Sequence, residues 1–325
     1  MKLATALRSA FGCALAALLS LTTANAQEWP KAKPITFVVP FAAGTDVVPR
    51  LLAIELERIL GQKVIVENRP GAGGANGTAY VARQPADGYT IVMTAPGPGA
   101  NYINSIPGLS YNPLKDFEHI SLIASGDCGL MVREDFPASD LKEFIAYAKA
   151  NPEKINIGNN GTGTLVHMVA LVMSDRYDLK VKHIPYRGSG EIATDLLSGS
   201  IQAASDYLGN QHVAQVKAGK FKVLAVASDQ RSPLVPNVPT LKEQGFDFAA
   251  PIWVGVLAPK GTPRPVVDKL NAAIREGVKA PDYVEKVTAN AQRAISSTPE
   301  EFRKIAFDEE AKWRDVIKKY NLISQ

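Results

Sequence analysis

The sequence predicts an α/β fold built from two units, and three observations predict it. Short apolar runs alternate with amphipathic helical stretches from Ile35 onward. The alternation pauses after Ser125 and restarts at Lys154. The chain's 325 residues exceed the usual single-domain size, so two domains are expected.

In the first unit "ITFVVP" reads as a strand, and residues 46–60 as a helix closed by Gly61. Pro49 falls in the first turn of that helix, where a missing N–H costs little. The strand "KVIVEN" follows. "RPGAGG" is then a Gly-rich turn into the helix "ANGTAYVARQ", and "YTIVMTA" is the next strand. A βαβαβ run of this kind implies a parallel sheet. "EHISLIAS" and "GLMVRED" read as extended.

Ser139 is the expected cap of "DLKEFIAYAKAN". The second unit then alternates strand and helix in order: "KINIG", "GTLVHMVALVMSDRY", "VKHIPY", "EIATDLLSG", "IQAASDY", "NQHVAQVKAG" and "FKVLAVAS". In the Pro-rich stretch that follows, Thr240 and Glu243 make a capping box for one helical turn. "PIWVGVLAP" is another strand, and the rest of the chain is helical. The last helix opens with Thr298 as N-cap, Pro299 and Glu301. Its Phe302, Ile305, Ala306, Trp313, Val316 and Ile317 fall at helical spacing and read as core.

Composition is globular, with 46 % apolar and 21 % charged residues. A net charge of +4 without any Lys/Arg run gives no case for nucleic acid. Lys2 and Arg8 precede an apolar stretch from Ala10 to Leu21, and small residues Ala24 and Ala26 follow. That is a secretory signal peptide with cleavage expected after Ala26, and the apolar run is too short for a membrane span. Removing Lys2 and Arg8 takes the charge from +4 to +2, because residues 1–26 hold no acids. Cys13 leaves with this segment. Cys128 then stands alone, cannot form an internal disulfide, and reads as a buried apolar residue.

Three strand-to-helix junctions share one chemistry: "PFAAGTD", "IGNNGTGTLVH" and "IPYRGSGE". Each places glycines and hydroxyls at a helix start, where unpaired N–H groups and the helix dipole favour an anion. In parallel α/β units such loops line the carboxyl edge of the sheet, where ligands bind. The competing reading is that these residues merely cap helices. "GAGGANG" misses the dinucleotide spacing, with Asn76 where the third glycine belongs, and reads as a tight turn. His119, His167, His183 and His212 are scattered without metal-ligand spacing, and no GxSxG elbow exists. His167 reads as a core histidine and Asp46 as a cap. An enzyme is therefore the least supported class, and no cofactor or metal is expected.

The words "ITFVVPFAAG", "VIVENRPGAGG", "DGYTIVM", "YNPLKDF", "IPYRGSG", "RSPLVPNVPTLKEQG", "LAPKGTP" and "TPEEF" run in order through nearly the whole chain after the leader. In them the chain resembles the substrate-binding receptors of tripartite tricarboxylate transporters, the Bordetella uptake gene (Bug) family. The resemblance implies a two-domain type II periplasmic binding protein with a cleft between domains joined by two crossing segments. It also implies a small carboxylate ligand, membrane permease subunits as partners, and a monomer. Its ligand-binding positions map to Phe41, Ala42, Gly44, Thr45 and Asp46, then Asn159, Asn160, Thr162 and Thr164, then Tyr186, Gly188, Ser189 and Asp206. Domain one is expected over 27–126 and 249–325, and domain two over 127–248.

Two departures bear on the ligand. "PFAAGTD" is two residues shorter than the family's usual "PFxxGGxTD", and Leu165 stands where a polar residue is common. With Phe41, Tyr102, Tyr207 and Trp253 in or beside cleft-forming segments, these favour an aromatic mono- or dicarboxylate such as a terephthalate-like acid. The alternatives are an aliphatic di- or tricarboxylate, or service to a signalling partner instead of a permease.

Overall fold

The computed structural model describes residues 29–41, 46–186 and 188–322. The expected signal peptide therefore lies outside the described residues, as do Ala42, Gly44, Thr45 and Arg187. No described helix is long and apolar enough to cross a membrane.

The first sheet begins with β1 (Ile35–Val39), followed by helix α1 (Val47–Leu60), β2 (Val64–Asn68), α2 (Ala75–Ala82) and β3 (Thr90–Thr94). β1 pairs in parallel with both β2 and β3, as the βαβαβ pattern requires. Helix α1 buries Val48, Leu52, Ala53 and Leu56, and ends where Gly61 adopts φ 62° and donates to Glu57 O. A left-handed residue at this position closes the helix without the Cβ penalty. After β3 the chain makes a tight helical segment, Gly97–Ser105, before β4 (Phe117–Gly126).

Asp127 carries the chain out of this sheet into β5 (Cys128–Arg133) of a second one. There follow α3 (Leu141–Ala150), then β6 (Asn156–Asn159), α4 (Leu165–Arg176) and β7 (Lys182–Pro185). α5 (Ser189–Ser198), β8 (Ala203–Tyr207), α6 (Asn210–Lys217) and β9 (Phe221–Val226) complete the unit. The N-cap of α3 is Asp140, not Ser139: its carboxylate accepts from Glu143 N at 2.8 Å, while Glu143 reaches back to Ser139 N at 2.7 Å. The shift by one residue puts a glutamate at the third helical position, which Ser139 would not.

The chain returns through 227–251, where the Thr240–Glu243 capping box forms as expected. β10 (Ile252–Pro259), α7 (Arg264–Gly277), α8 (Pro281–Ala289), β11 (Arg293–Ala294) and α9 (Pro299–Lys319) finish the first unit. Sheet order is β11-β4-β10-β3-β1-β2 in one and β7-β6-β8-β5-β9 in the other. In the first sheet β10 runs antiparallel between β3 and β4. Helices cover both faces of that sheet, which is why β1 is nearly all buried. Leu52, Leu56, Leu270 and Ile274 pack on one face, and Val81 and Phe302 on the other.

Helix α9 straddles the two units. It opens with the Thr298–Glu301 capping box and packs Phe302 on the first sheet. Its later turns bring Trp313 and Ile317, with Leu322 beyond, into the core of the second. The end of the chain thus adds a third tie between the two cores beside the two strand-to-strand crossings. Helical spacing identifies which side chains are buried but not which sheet receives them.

Candidate functional site

A cavity of about 820 Å³ lies between the two sheets. Its walls are built at the carboxyl ends of parallel strands, where α/β folds bind ligands. From the first unit come Phe41 after β1, Ala72 and Gly73 after β2, and Ala95–Pro98 after β3, with Asn101, Tyr102 and Ser105 beyond. The second unit supplies Thr162, Gly163, Thr164, Leu165 and Met168 around the start of α4, and Tyr207 at the end of β8. Ile106, Pro107, Ile252 and Leu322 complete it. Among the described residues no charged side chain lines this cavity, so an anion there would be met by neutral donors and helix ends.

Local packing fixes the first wall. Gly73 sits at φ 62°, and a Cβ on it would come within 2.4 Å of the Tyr102 hydroxyl; one on Gly74 would come within 2.9 Å of the Phe41 ring. Only glycine lets this turn pass so close to the two rings. The Tyr102 hydroxyl donates to Gly73 O at 2.9 Å. Phe41 is held from behind: Asn68 Nδ2 donates to Phe41 O at 3.1 Å, Arg50 donates to Asn68 Oδ1 at 2.9 Å, and Arg50 Nε donates to Asp46 Oδ2 at 2.7 Å. Asp46 occupies the N-cap position of α1 without a side-chain capping bond. The expected cap is thus corrected to an ion pair one turn along, because Arg50 offers a charged donor on the same helix face.

The second wall starts at Asn159, whose Oδ1 accepts from Gly161 N at 3.1 Å. Thr164 is the N-cap of α4: its hydroxyl donates to Gly161 O at 2.8 Å and accepts from His167 N at 3.4 Å. His167 accepts from Gly163 N through Nδ1 at 3.0 Å, so it is the core histidine its sequence position suggests. Burial lowers its pKa, and lowers that of its ring neighbour His183 to about 4. Both imidazoles are therefore neutral near pH 7.

Of the thirteen site positions expected from sequence, Phe41, Thr162 and Thr164 line the cavity. Ala42, Gly44 and Thr45 lie outside the described residues. Asp46, Asn159, Asn160, Tyr186, Gly188, Ser189 and Asp206 are not among the lining residues. Tyr186 turns away, packing on the core around Ile192 and giving its hydroxyl to Asp195 at 2.6 Å. Trp253, expected as a stacking ring, is 3 % exposed and packs edge-on against Phe302 in the core. Phe41, Tyr102 and Tyr207 remain as aromatic lining. The wall from Ala95 to Ile106 was missed by sequence reasoning apart from Tyr102. Its signal was the run "PGPGAN" directly after a strand, and the turn at "GAGG" was read as structural only.

Behind the lining, Asp206 forms a buried pair with His212. Asp206 Oδ1 accepts from Tyr207 N at 2.8 Å, and Oδ2 lies 3.5 Å from His212 Nε2 with both side chains fully buried. His212 Nδ1 is 3.0 Å from Tyr207 O, a carbonyl that can only accept, so the ring proton sits on Nδ1. Nε2 then presents a lone pair to the carboxylate, and the pair is complementary only when it holds one more proton. Burial pushes Asp206 up to about 6, opposed by the Ser189 side chain and the Tyr207 N–H. Burial lowers His212. Cys128 is buried and its thiol is pushed up by burial first, then by Asp206.

Two α/β units around a largely apolar cavity, without charged side chains in its described lining, define a ligand-binding protein of the periplasmic solute-receptor class. The chain belongs to the tripartite tricarboxylate transporter receptor family, whose model it matches over residues 48–322. It is 33 % identical over 298 residues to the Bordetella pertussis protein BugT, covering 90 % of this chain and 91 % of that one. Among solved structures, the periplasmic binding protein BugD is 34 % identical with a TM-score of 0.74, over 90 % of this chain and 99 % of that one. A Rhodopseudomonas palustris protein solved with adipate is 28 % identical with a TM-score of 0.77, over 90 % and 98 %. MatC from the same organism, solved with malate, is 31 % identical with a TM-score of 0.73, over 88 % and 99 %.

Proposed function

We propose that this protein is an exported receptor that binds a small carboxylate in the cavity between its two units and delivers it to the membrane permease of a tripartite transporter. The observation that carries the reading is the cavity itself: about 820 Å³, at the carboxyl ends of both sheets, with the N-terminus of α4 in its wall. The helix end supplies the positive pole for an anion. Neutral, multi-point hydrogen bonding suits a receptor that must release its cargo. Family membership and the adipate- and malate-bound neighbours support a carboxylic acid as the cargo.

Within that class the lean is toward an aromatic acid. Phe41, Tyr102 and Tyr207 stand around the cavity with Leu165 and Met168, and offset or edge contacts to a ring are worth about 0.5–1.5 kcal/mol each. The aliphatic alternative draws on the two neighbours' ligands. Further binding positions are assigned to the 42–45 loop, and to Ser189 and Asp206 on closure of the cleft about 127 and 227–251. The working form is a periplasmic monomer cleaved after Ala26; a signalling partner in place of the permease is the other reading.

A thermal-shift and calorimetric screen of residues 27–325 against adipate, malate, citrate, benzoate and terephthalate tests the proposal. A ligand at 100 times its dissociation constant stabilises the fold by about 2.7 kcal/mol. Stabilisation by terephthalate or benzoate, but not by the aliphatic acids, is the expected result. Binding of the aliphatic acids alone removes the aromatic lean, and binding of none removes the carboxylate reading.

A further inference from the structure

We infer that Leu322, in the turn that follows α9, is a specificity-determining residue of the ligand cavity: it closes the wall beside the start of α4 and limits the bulk a ligand can carry next to its carboxylate. The inference rests on reading the cavity as a carboxylate site. Local sequence sets the turn. Asn321 adopts φ 50°, its N–H donates to Lys318 O at 3.3 Å, and Leu322 N donates to Ile317 O at 3.0 Å. This pair of bonds closes a helix through one left-handed residue, and asparagine is among the few non-glycine residues that adopt that conformation readily. The same closure brings the next apolar side chain back against the last turn of the helix. Leu322 accordingly joins Ile317 and Trp313 in the second core and is 7 % exposed. Lys319, paired with Asp175 at 2.7 Å, links this end of α9 to α4.

Leu322 meets the helix start that supplies the positive pole for an anion. Gly163 precedes the Thr164 cap at φ 77°, and a Cβ on it would lie 3.8 Å from Leu322 O. The turn after α9 therefore runs alongside the glycine that opens α4. Leu165 and Met168, from the first turn of α4, are buried in the same core as Leu322 and line the cavity with it. Three apolar side chains thus stand next to the pole, and a carboxylate held there has them beside its own neighbouring carbon. Protein walls are close-packed, so an added methyl group on that carbon meets side chains with little room to give. Of the three, only Leu322 lies outside α4. Shortening it enlarges the cavity while leaving in place the Thr164 cap, bonded to Gly161 O and His167 N.

The test compares whichever acid of the screen binds with its derivative methylated beside each carboxylate, such as 2,6-dimethylbenzoate against benzoate or 2,5-dimethyladipate against adipate. Calorimetry on residues 27–325 is expected to show the methylated acid binding about tenfold or more weaker than its parent. Leu322→Ala, checked for folding by urea unfolding, is expected to narrow that ratio by about tenfold, through tighter binding of the methylated acid. A purely structural role for Leu322 would weaken both acids alike, so the ratio is the readout that separates the two. Leu322→Val serves where alanine is not tolerated, and the wild-type comparison stands without either variant. A methylated acid that binds the wild type as tightly as its parent overturns the inference, as does a ratio unchanged in the folded variant; in both cases the parent acid binds and the carboxylate reading survives. Failure of every acid to bind overturns the carboxylate reading itself, and this inference with it.

Discussion

Asp206→Asn is expected to make the protein more stable at neutral pH. The carboxyl is buried, its pKa is raised from 3.8 to about 6, and its Oδ2 faces the lone pair of His212 Nε2. In the unfolded chain it ionises near its ordinary value, so between about pH 4 and 6 the folded state holds a proton that the unfolded state has lost. Folding stability from this group therefore falls as pH rises through that window and stays low above it. At 1.36 kcal/mol per pKa unit, a rise of this size is worth roughly 3 kcal/mol above pH 7, and roughly 2–3 kcal/mol once titration is shared with His212. Asparagine copies the protonated acid. Its Oδ1 keeps the Tyr207 N–H, and its Nδ2 donates to Nε2. Urea unfolding of wild type and variant at pH 4, 5 and 7.5 is the assay. The variant should gain roughly 2–3 kcal/mol at pH 7.5 and almost nothing at pH 4. A variant less stable than wild type at pH 7.5, or a gain that does not change with pH, refutes the protonated-pair reasoning. His212, lowered by burial, weakens both proteins on acidification and largely cancels in the difference.

Three further outcomes are expected. Thr164→Ala removes the cap of α4 and should cost about 1 kcal/mol in urea unfolding as well as weakening ligand binding, with Thr164→Ser retaining both. Arg293→Ala strips the bidentate partner, at 2.8 and 2.6 Å, from Asp127 at the crossing between sheets, leaving a carboxylate 3 % exposed. Uncompensated, this should cost about 3–5 kcal/mol in unfolding free energy, and a loss below 1 kcal/mol would show that water reaches the site. Gly73→Ala forces a Cβ against the Tyr102 hydroxyl at a left-handed position and should cost about 1–2 kcal/mol, with Tyr102 displaced from the cavity wall. A crystal structure of the variant, or ligand affinity unchanged from wild type, decides whether the turn shapes the site.

Much of the architecture was legible because local patterns carry it. The run of β1, α1 and β2 is written in apolar periodicity and closed by Gly61. The capping boxes at Thr240 and Thr298 follow from residues three apart. Cap identity at Ser139 and Asp140 was off by one because both residue types cap, and only the glutamate's reach decides between them. Asp46 was misread for a related reason. A carboxylate at a helix start can serve the backbone or a cation, and Arg50 one turn on provides the cation.

By itself the sequence determined the strand and helix order, the two α/β units, the family words and the loops where helix starts follow strands, because each depends on neighbours within a few residues. Tertiary structure alone decided which of those loops face the cavity. Thr162 and Thr164 line it, while Tyr186 turns to a core and Asp206 to His212. It also decided that α9 joins both cores and that Trp253 is packed instead of stacking. The physical reason is common to all of these: a side chain's direction and its hydrogen-bond partners depend on groups tens to hundreds of residues away, as Asp127 depends on Arg293, and distance along the chain leaves no local trace.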